Sequence, residues 1–294
     1  MPTAPHWLNS LIKAEALPPA FEDLAIEYYL PLAAQIVSWA ENSKSPIVVG
    51  INGAQGTGKS TMSKVLALAL EHDHQLRCAI ISIDDIYLTR EERSQLAQDI
   101  HPLFQTRGVP GTHDVSLGIN LIQQLKEGKT PPLPVFNKAI DDRAPIEQWG
   151  TLTQPADIIL FEGWCIGAQA QPEAALVEPS NQLEAHEDSD ASWRTYVNQQ
   201  LENNYPEIFQ LIDHLVMLKA PDFECVYNWR QTQEEKLRVT HRGDAIMTPE
   251  QISRFIMHYE RLTRWMFEEM PSRADCLLDL SHDHSISKIH YQHS

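Results

Sequence analysis

Basic charge, cysteine and long apolar segments are all scarce in this sequence of 294 residues. Only 23 basic residues oppose 40 acidic ones, and the net charge of −17 disfavours non-specific binding to nucleic acid or to anionic membranes. No apolar run approaches the ~20 residues of a membrane span, and the N-terminus shows no secretory pattern. We therefore expect a cytoplasmic protein without nucleic-acid or membrane partners, and the composition leaves its oligomeric state open.

The residues that commonly bind transition metals are thinly spread along the chain. The four cysteines lie far apart without a C-x-x-C pair, which predicts reduced, mostly buried thiols rather than a disulfide frame or a zinc site. Two His-Asp-His strings, at residues 72–74 and 282–284, lack the helical H-x-x-x-H spacing of a metal site. We expect both strings on the solvated surface.

One stretch matches the phosphate-binding loop pattern G-x-x-x-x-G-K-[ST] in full. Its glycines permit backbone angles closed to other residues, so that successive N–H groups can face an anion. Lys59 carries a charge that reaches the β- and γ-phosphates, and the Ser60 hydroxyl is suited to Mg²⁺. A helix that begins near Gly58 directs its positive end at the same phosphates. The residues expected to bind ATP are Gly53, Ala54, Gln55, Gly56, Thr57, Gly58, Lys59, Ser60 and Thr61.

Short apolar runs around this loop predict a parallel sheet that is covered on both faces. The predicted strands are 46–51, 77–83, 156–161, 214–218 and 276–280. Helices are expected at 21–41, 60–70, 115–127, 193–201, 205–211, 223–239 and 248–267. Residues 1–20 are expected to be irregular, and residues 168–192, rich in proline, alanine and acids, to form a surface excursion.

Acidic residues follow two of the predicted strands, where open α/β sheets hold their ligands. Asp84 and Asp85 end the second strand, and one of them is expected to be the general base for an attacking hydroxyl. The alternative is an Asx turn that caps the next helix, and one carboxylate can cap while the other reacts. Glu162 follows the third strand in the Walker-B pattern, which predicts a role opposite Ser60 in placing Mg²⁺.

Several polar residues lie in long loops, which in compact domains are usually functional or disordered. The loop at residues 99–114 contains Arg107, a candidate anion contact, together with His113 and Asp114. Asp114 is equally suited to cap the following helix. Lys138 and Arg143 are interpreted as substrate or phosphate contacts, with a solvated loop as the alternative.

A basic helix at 223–239 contains Arg230, Lys236 and Arg238. Its position after the fourth strand favours a lid that closes on the triphosphate, chiefly through Arg230. An ordinary charged helix face is the alternative.

Four strings together resemble the phosphoribulokinase/uridine kinase branch of P-loop kinases, and most closely its D-glycerate 3-kinase type. Beside the phosphate-binding loop they are Ser82-x-Asp84-Asp85-x-Tyr87, Arg107-Gly108-x-x-Gly111-x-His113-Asp114 and Phe161-Glu162-Gly163-Trp164. The resemblance runs from about residue 48 to residue 280. Two residues depart from the pattern, namely Ile86 where relatives usually have Phe and Phe136 where Tyr is common.

The resemblance implies a single α/β domain of the P-loop NTPase type, with a parallel sheet sandwiched between helices. It implies that ATP with Mg²⁺ phosphorylates a hydroxyl of a small molecule, with Asp84 as the base. Asp85, Tyr87, Arg107, His113, Asp114, Lys138 and Arg143 are the candidate substrate contacts. Residues 1–45 would form a helical extension packed on the core, and residues 46–294 the kinase domain.

The leading hypothesis is therefore a small-molecule kinase whose acceptor is D-glycerate. Uridine or pantothenate is the alternative acceptor. A second class of function is a non-catalytic switch that binds ATP to control a partner, although such a switch has no need of the paired acids Asp84 and Asp85.

Overall fold

A six-stranded sheet forms the centre of the protein in a computed structural model, which describes residues 4–240 and 247–292, without the side chains of residues 233–240. The strands of this sheet and of a separate hairpin are, in chain order, β1 Ile47–Gly53, β2 Cys78–Ser82, β3 Phe136–Asn137, β4 Asp142–Arg143, β5 Ile158–Gly163, β6 His214–Lys219, β7 Cys276–Leu280 and β8 Ile286–Tyr291. The order in the sheet is β2-β5-β1-β6-β7-β8, and only β8 runs antiparallel to its neighbour. β3 and β4 form a separate antiparallel hairpin.

Helices cover both faces of this sheet. They are α1 His6–Ala14, α2 Phe21–Leu24, α3 Leu30–Ala40, α4 Lys59–His74, α5 Arg90–Asp99, α6 Val115–Lys126, α7 Gln182–Glu187, α8 Ser192–Asn203, α9 Tyr205–Phe209, α10 Phe223–Thr240 and α11 Pro249–Glu269. In the part of the chain that the structure describes, none of them combines the length and apolar character needed to cross a bilayer.

Alternate residues of each parallel strand enter two separate hydrophobic cores. In β1, Ile47, Val49 and Ile51 pack with α1, α3, α4 and α10, whereas Val48 lies in the core formed with α6, α8 and α9. α11 contributes to both cores. Because every residue of β1 and β5 is buried, these strands read as continuous apolar runs, as expected for a sheet covered on both sides. The predicted single α/β domain with a parallel central sheet is confirmed.

The N-terminal segment is more regular than the sequence predicts. Residues expected to be irregular include α1, and Leu8 of this helix is fully buried in the same core as β1. The helix predicted at 21–41 is interrupted by a π-helical segment, Ala25–Tyr29, which ends two residues before Pro31. A proline ring clashes with the carbonyl group four residues earlier, and the wider π turn relieves that clash. The domain boundary at residue 45 stays a prediction.

The acidic segment 168–192 lies mostly on the surface, as predicted, and two of its acids anchor it. Glu184 and Asp188 have fully buried side chains, and each forms an ion pair, with Arg261 at 2.6 Å and Arg194 at 2.8 Å respectively. Glu184 also accepts a hydrogen bond from the Ser180 backbone N–H. Burial alone would raise the pKa of Glu184, but Arg261 and the Ser180 N–H lower it below its ordinary value. The density of charge along the sequence does not reveal which of these acids have buried partners.

We expect Arg261→Met to destabilise the fold by about 3–5 kcal/mol, because it leaves the Glu184 carboxylate buried without its cation. The matched control is Arg264→Met, which removes an exposed pair with Glu260 and should cost less than about 1 kcal/mol. Urea unfolding at neutral pH measures both, and equal losses would contradict the buried-pair interpretation.

Candidate active site

The phosphate-binding loop connects β1 to α4 at the carboxyl edge of the sheet. Gly56 and Gly58 have φ of +82° and +88°, in the left-handed region that favours glycine. A Cβ atom on Gly56 would also lie 2.7 Å from Cβ of Trp229, so the loop has room only for hydrogen at this position. Thr57 closes the loop internally, since its hydroxyl donates to the Ala54 carbonyl oxygen at 2.9 Å. Lys59, Ser60 and Thr61 form the first turn of α4.

Glu162 faces this loop from the neighbouring strand. The register of β5 places Glu162 beside Ile51 of β1 and beside Ser82 of β2. The Ser60 hydroxyl donates to Oε1 of Glu162 at 2.9 Å, whereas the buried Oε2 atom has no hydrogen-bond partner. A buried carboxylate oxygen without a partner, beside a hydroxyl group, suits a hard cation that prefers oxygen ligands. These residues therefore fit Mg²⁺.

Asp84 lies on the same edge, in a 3₁₀ turn that follows β2. Its Oδ2 atom accepts a hydrogen bond from Lys138 at 2.7 Å, and its Oδ1 atom accepts one from the Tyr87 hydroxyl at 2.8 Å. Burial alone would raise the pKa of Asp84, but the charges of Lys138 and Lys59 and these two hydrogen bonds lower it to about 2. Asp84 does not cap α5, because the Thr89 hydroxyl accepts the capping bond itself. The carboxylate is therefore ionised and directed into the site.

Asp85 has a different environment. Its Oδ1 atom accepts a hydrogen bond from the Phe136 N–H at 3.0 Å, which ties the end of β2 to the β3–β4 hairpin. Burial raises the pKa of this carboxyl group. The structure thus separates the two adjacent acids, one facing cations and the other holding a backbone amide.

Arg107 and Lys138 both lie near Asp84 and Phe136. The Arg107 guanidinium forms an ion pair with Asp141, the residue in the β3–β4 turn, and lies 5.3 Å from the ring centroid of Phe136. Lys138 is the most exposed of the candidate cations, at 59%. Arg93, which the sequence did not single out, is fully buried and donates to three backbone carbonyl groups, those of Leu88, Gln105 and Asp141. It fixes the hairpin that presents Lys138 and the Asp141 partner of Arg107.

The remaining candidates form a layer behind Tyr87. Arg143 donates to the Tyr87 carbonyl oxygen at 2.9 Å and to Asp114 at 3.1 Å. Asp114 also caps α6 by accepting from the Leu117 N–H at 2.9 Å. The His113 ring stacks on Tyr87 with centroids 4.7 Å apart, and burial lowers its pKa to about 3, so that the ring is neutral. A substrate role for His113, Asp114 and Arg143 stays a prediction, and their present contacts orient Tyr87.

Arg230 lies on α10, with its guanidinium 5.9 Å from the ring centroid of Phe255 on α11. Its role in a lid stays a prediction. The side chains of Lys236 and Arg238, predicted to belong to the same lid, fall outside the described residues.

A contact from the C-terminal hairpin was missed by sequence reasoning. His284, in the turn between β7 and β8, has Nε2 only 2.9 Å from the Gly56 carbonyl oxygen, so this nitrogen carries the donated proton. Its ring stacks on Trp229 with centroids 4.1 Å apart. The string 282–284 is exposed, as predicted, and His284 nevertheless contacts the phosphate-binding loop. More than 200 positions separate His284 from the loop, and no local pattern signals such a contact.

Comparisons with known proteins agree with this geometry. The model of the phosphoribulokinase/uridine kinase family matches residues 48–194. The chloroplastic D-glycerate 3-kinase of Arabidopsis thaliana is 30% identical over 84% of this chain, which spans 56% of that relative's length. A Schizosaccharomyces pombe protein described as an uncharacterized kinase is 33% identical over 73% of this chain and 78% of its own length.

A solved structure gives the same result. The D-glycerate 3-kinase of Cryptococcus neoformans var. grubii superposes with a TM-score of 0.76 at 25% identity, over 90% of this chain and 99% of the other. The protein is thus a kinase that uses ATP and acts on a small molecule. Its phosphate-binding loop, strand order and sequence relatives show that the chain belongs to the phosphoribulokinase/uridine kinase family.

Proposed function

We propose that this kinase transfers the γ-phosphate of ATP to a hydroxyl group of D-glycerate, giving 3-phosphoglycerate. The observation that carries the proposal is the ionised Asp84 carboxylate, held between Lys138 and Tyr87 on the sheet edge that presents the phosphate-binding loop. Two relatives that match most of the chain bear the name D-glycerate 3-kinase, which supports this acceptor.

The nucleotide would bind through the loop amides and Lys59. Ser60 and Glu162 would hold Mg²⁺, which when bound neutralises charge on the phosphate oxygens. The loop amides and Lys59 stabilise the charge that spreads over the transferring group. They are positioned before the reaction, so that no reorganisation is needed during it.

Asp84 would orient the acceptor hydroxyl and take its proton. A carboxylate with a pKa of about 2 is a weak base at neutral pH, so proton transfer is favourable only as the new P–O bond forms. Phosphoryl transfer through a loose transition state tolerates this late proton loss. Asp84 would therefore contribute to catalysis mainly by orienting the acceptor hydroxyl.

The acceptor carboxylate requires a cation, and Arg107 and Lys138 are placed to supply one. Arg107 forms an ion pair with Asp141, and Lys138 forms one with Asp84, on the exposed side of the site. A substrate carboxylate competes with Asp141 for Arg107, and a bidentate guanidinium–carboxylate contact would select for a hydroxy acid. Arg143 is less suited, because it is bound to Asp114 and to the Tyr87 backbone.

The aromatic residues of the site favour a small charged acceptor over uridine. Tyr87 packs against His113 and, edge-on, against Phe136, with centroids 4.7 and 5.2 Å apart. Guanidinium groups of Arg93 and Arg107 lie near the Phe136 ring. The rings therefore bind one another and offer little open surface on which a nucleobase could stack. The kinase relatives likewise favour catalysis over a non-catalytic switch.

Asp84→Asn should lower kcat by about 10²–10⁴-fold while the Kd for ATP stays unchanged, because the amide cannot accept the proton. A coupled ATP-consumption assay and calorimetry measure the two quantities. Asp157→Asn is the matched control, since that acid pairs with an exposed arginine at the opposite edge of the sheet.

Asp85→Asn should mainly raise the acceptor KM by loosening Phe136. If Asp85→Asn abolished turnover and Asp84→Asn did not, Asp85 would be the base.

An acceptor panel tests the substrate. D-glycerate should be phosphorylated with a kcat/KM at least ~100-fold above those of glycerol and uridine, because glycerol lacks the anion and the paired rings of the site leave little surface for a nucleobase. Pantothenate, which carries a carboxylate, is the third acceptor to compare. Arg107→Met should raise the KM for D-glycerate ~10-fold or more and leave the residual glycerol reaction unaltered. Arg77→Met, at the far edge of the sheet, is the control. A preference for pantothenate or uridine would replace D-glycerate while leaving the kinase mechanism intact.

Lys138→Met should shift the pH profile of kcat/KM. Loss of this cation leaves only Lys59 and the Tyr87 hydroxyl to oppose the effect of burial, so the pKa of Asp84 should rise from its value of about 2. Since the ionised form is required, the variant should lose activity at a higher pH than the wild-type enzyme as the pH is lowered. Lys138→Arg retains the charge and should retain the wild-type profile. Identical profile shapes for Lys138→Met and wild type would contradict this electrostatic role.

A further inference from the structure

Three potential metal ligands from two distant parts of the chain meet at the start of α10. Asp222 lies directly before α10, Cys225 lies in its first turn, and His282 lies in the turn between β7 and β8. Their ligand atoms are all within 4.8 Å of one another. Nε2 of His282 is 3.2 Å from Oδ2 of Asp222.

We propose that Asp222, Cys225 and His282 form a binding site for zinc or a similar borderline divalent cation. Thiolate sulfur, imidazole nitrogen and carboxylate oxygen are the three ligand types that zinc prefers. Water completes the tetrahedral set, as it does in zinc sites with three protein ligands. Mg²⁺ is excluded from this site by its requirement for oxygen ligands in octahedral geometry, so the site is distinct from the one at Ser60 and Glu162.

The geometry needs only a small contraction to bind zinc. Zinc–ligand bonds of about 2.0–2.3 Å in tetrahedral geometry put ligand atoms roughly 3.3–3.8 Å apart. The His282 side chain is 78% exposed, so its ring can move inward without disturbing the core. Asp222 is already fixed, since its Oδ1 atom accepts a hydrogen bond from the Cys225 N–H at 2.8 Å.

Zinc would bind by displacing a proton from the thiol. Zinc binds cysteine as the thiolate. Coordination releases the thiol proton to solvent and leaves the thiolate on the metal.

The site is coupled to the phosphate-binding loop through two contacts. The Trp229 indole N–H donates to the His282 carbonyl oxygen at 3.0 Å. His284, two residues further on, stacks on Trp229 and contacts the Gly56 carbonyl oxygen. A metal that joins His282 to the start of α10 therefore restrains the turn that touches Gly56, and zinc occupancy would regulate the loop that binds ATP.

A second cluster of potential metal ligands consists of His101, Asp188 and Asp190, but both of its acids already accept hydrogen bonds. Asp188 bonds the Arg194 guanidinium and two backbone N–H groups, and Asp190 accepts from the Ser192 N–H and hydroxyl. Both acids next to His101 are thus engaged, and binding a metal there would break a buried ion pair.

Titration of the full chain with Co²⁺ and Zn²⁺ tests the site. Co²⁺ should produce a thiolate-to-metal charge-transfer band that one equivalent of Zn²⁺ removes. His282→Ala, at an exposed position that the fold tolerates, should weaken zinc affinity at least ~10-fold, and Cys225→Ser should abolish the band. The matched controls are His290→Ala, a histidine of the same hairpin beside Asp279, and Cys78→Ser, a more exposed thiol.

Hydrogen exchange tests the coupling. Zinc should slow amide exchange in residues 281–285 and in the loop around Gly56, and His282→Ala should remove both effects. Absence of the charge-transfer band, or equal zinc affinity in wild type and His282→Ala, would overturn the site. Protection of the turn without the loop would overturn the proposed regulation.

Discussion

The hydrogen-bonded register of three parallel strands is the constraint on which the site depends. β5 lies between β2 and β1, and its register places Glu162 beside both Ser82 and Ile51. The phosphate-binding loop follows β1 and the Asp84 turn follows β2, so all three chemical groups emerge at one edge. A shift of β5 by one residue would move each of its side chains to the opposite face of the sheet. It would also take Glu162 away from the Ser60 hydroxyl, which is now 2.9 Å away.

Charge in the site is balanced locally despite the acidity of the whole chain. Arg107, Lys138 and Arg143 each have an acidic partner, and the partners differ in what they do. Asp141 holds Arg107 at the edge of the site, where we propose that an anionic substrate competes for it. Asp114 caps α6 while it holds Arg143, so that pair belongs to the scaffold. Under the proposed function, the same residue types would serve substrate binding in one case and structural support in the other, according to their exposure and their other bonds.

The phosphate-binding loop is supported from the C-terminal part of the chain as well as by its own glycines. Trp229 leaves no room for a side chain on Gly56, and His284 bonds the Gly56 carbonyl oxygen. The β7–β8 turn therefore supports a loop that is usually described as a local motif. His282 of the Asp222, Cys225 and His282 cluster lies in this same turn, so a metal bound to the cluster would restrain the turn that contacts Gly56.

Local patterns in the sequence determined the sheet, the loop and the acids that follow the strands, because apolar runs, glycine spacing and strand ends are short-range signals. Only the tertiary structure decided which acid of the pair Asp84 and Asp85 faces Lys138, since both follow β2 and differ only in direction. It also decided that Glu184 is buried and that Cys225 lies beside His282. Such contacts join residues far apart in the chain, and their energies come from burial and pairing, which no local pattern records.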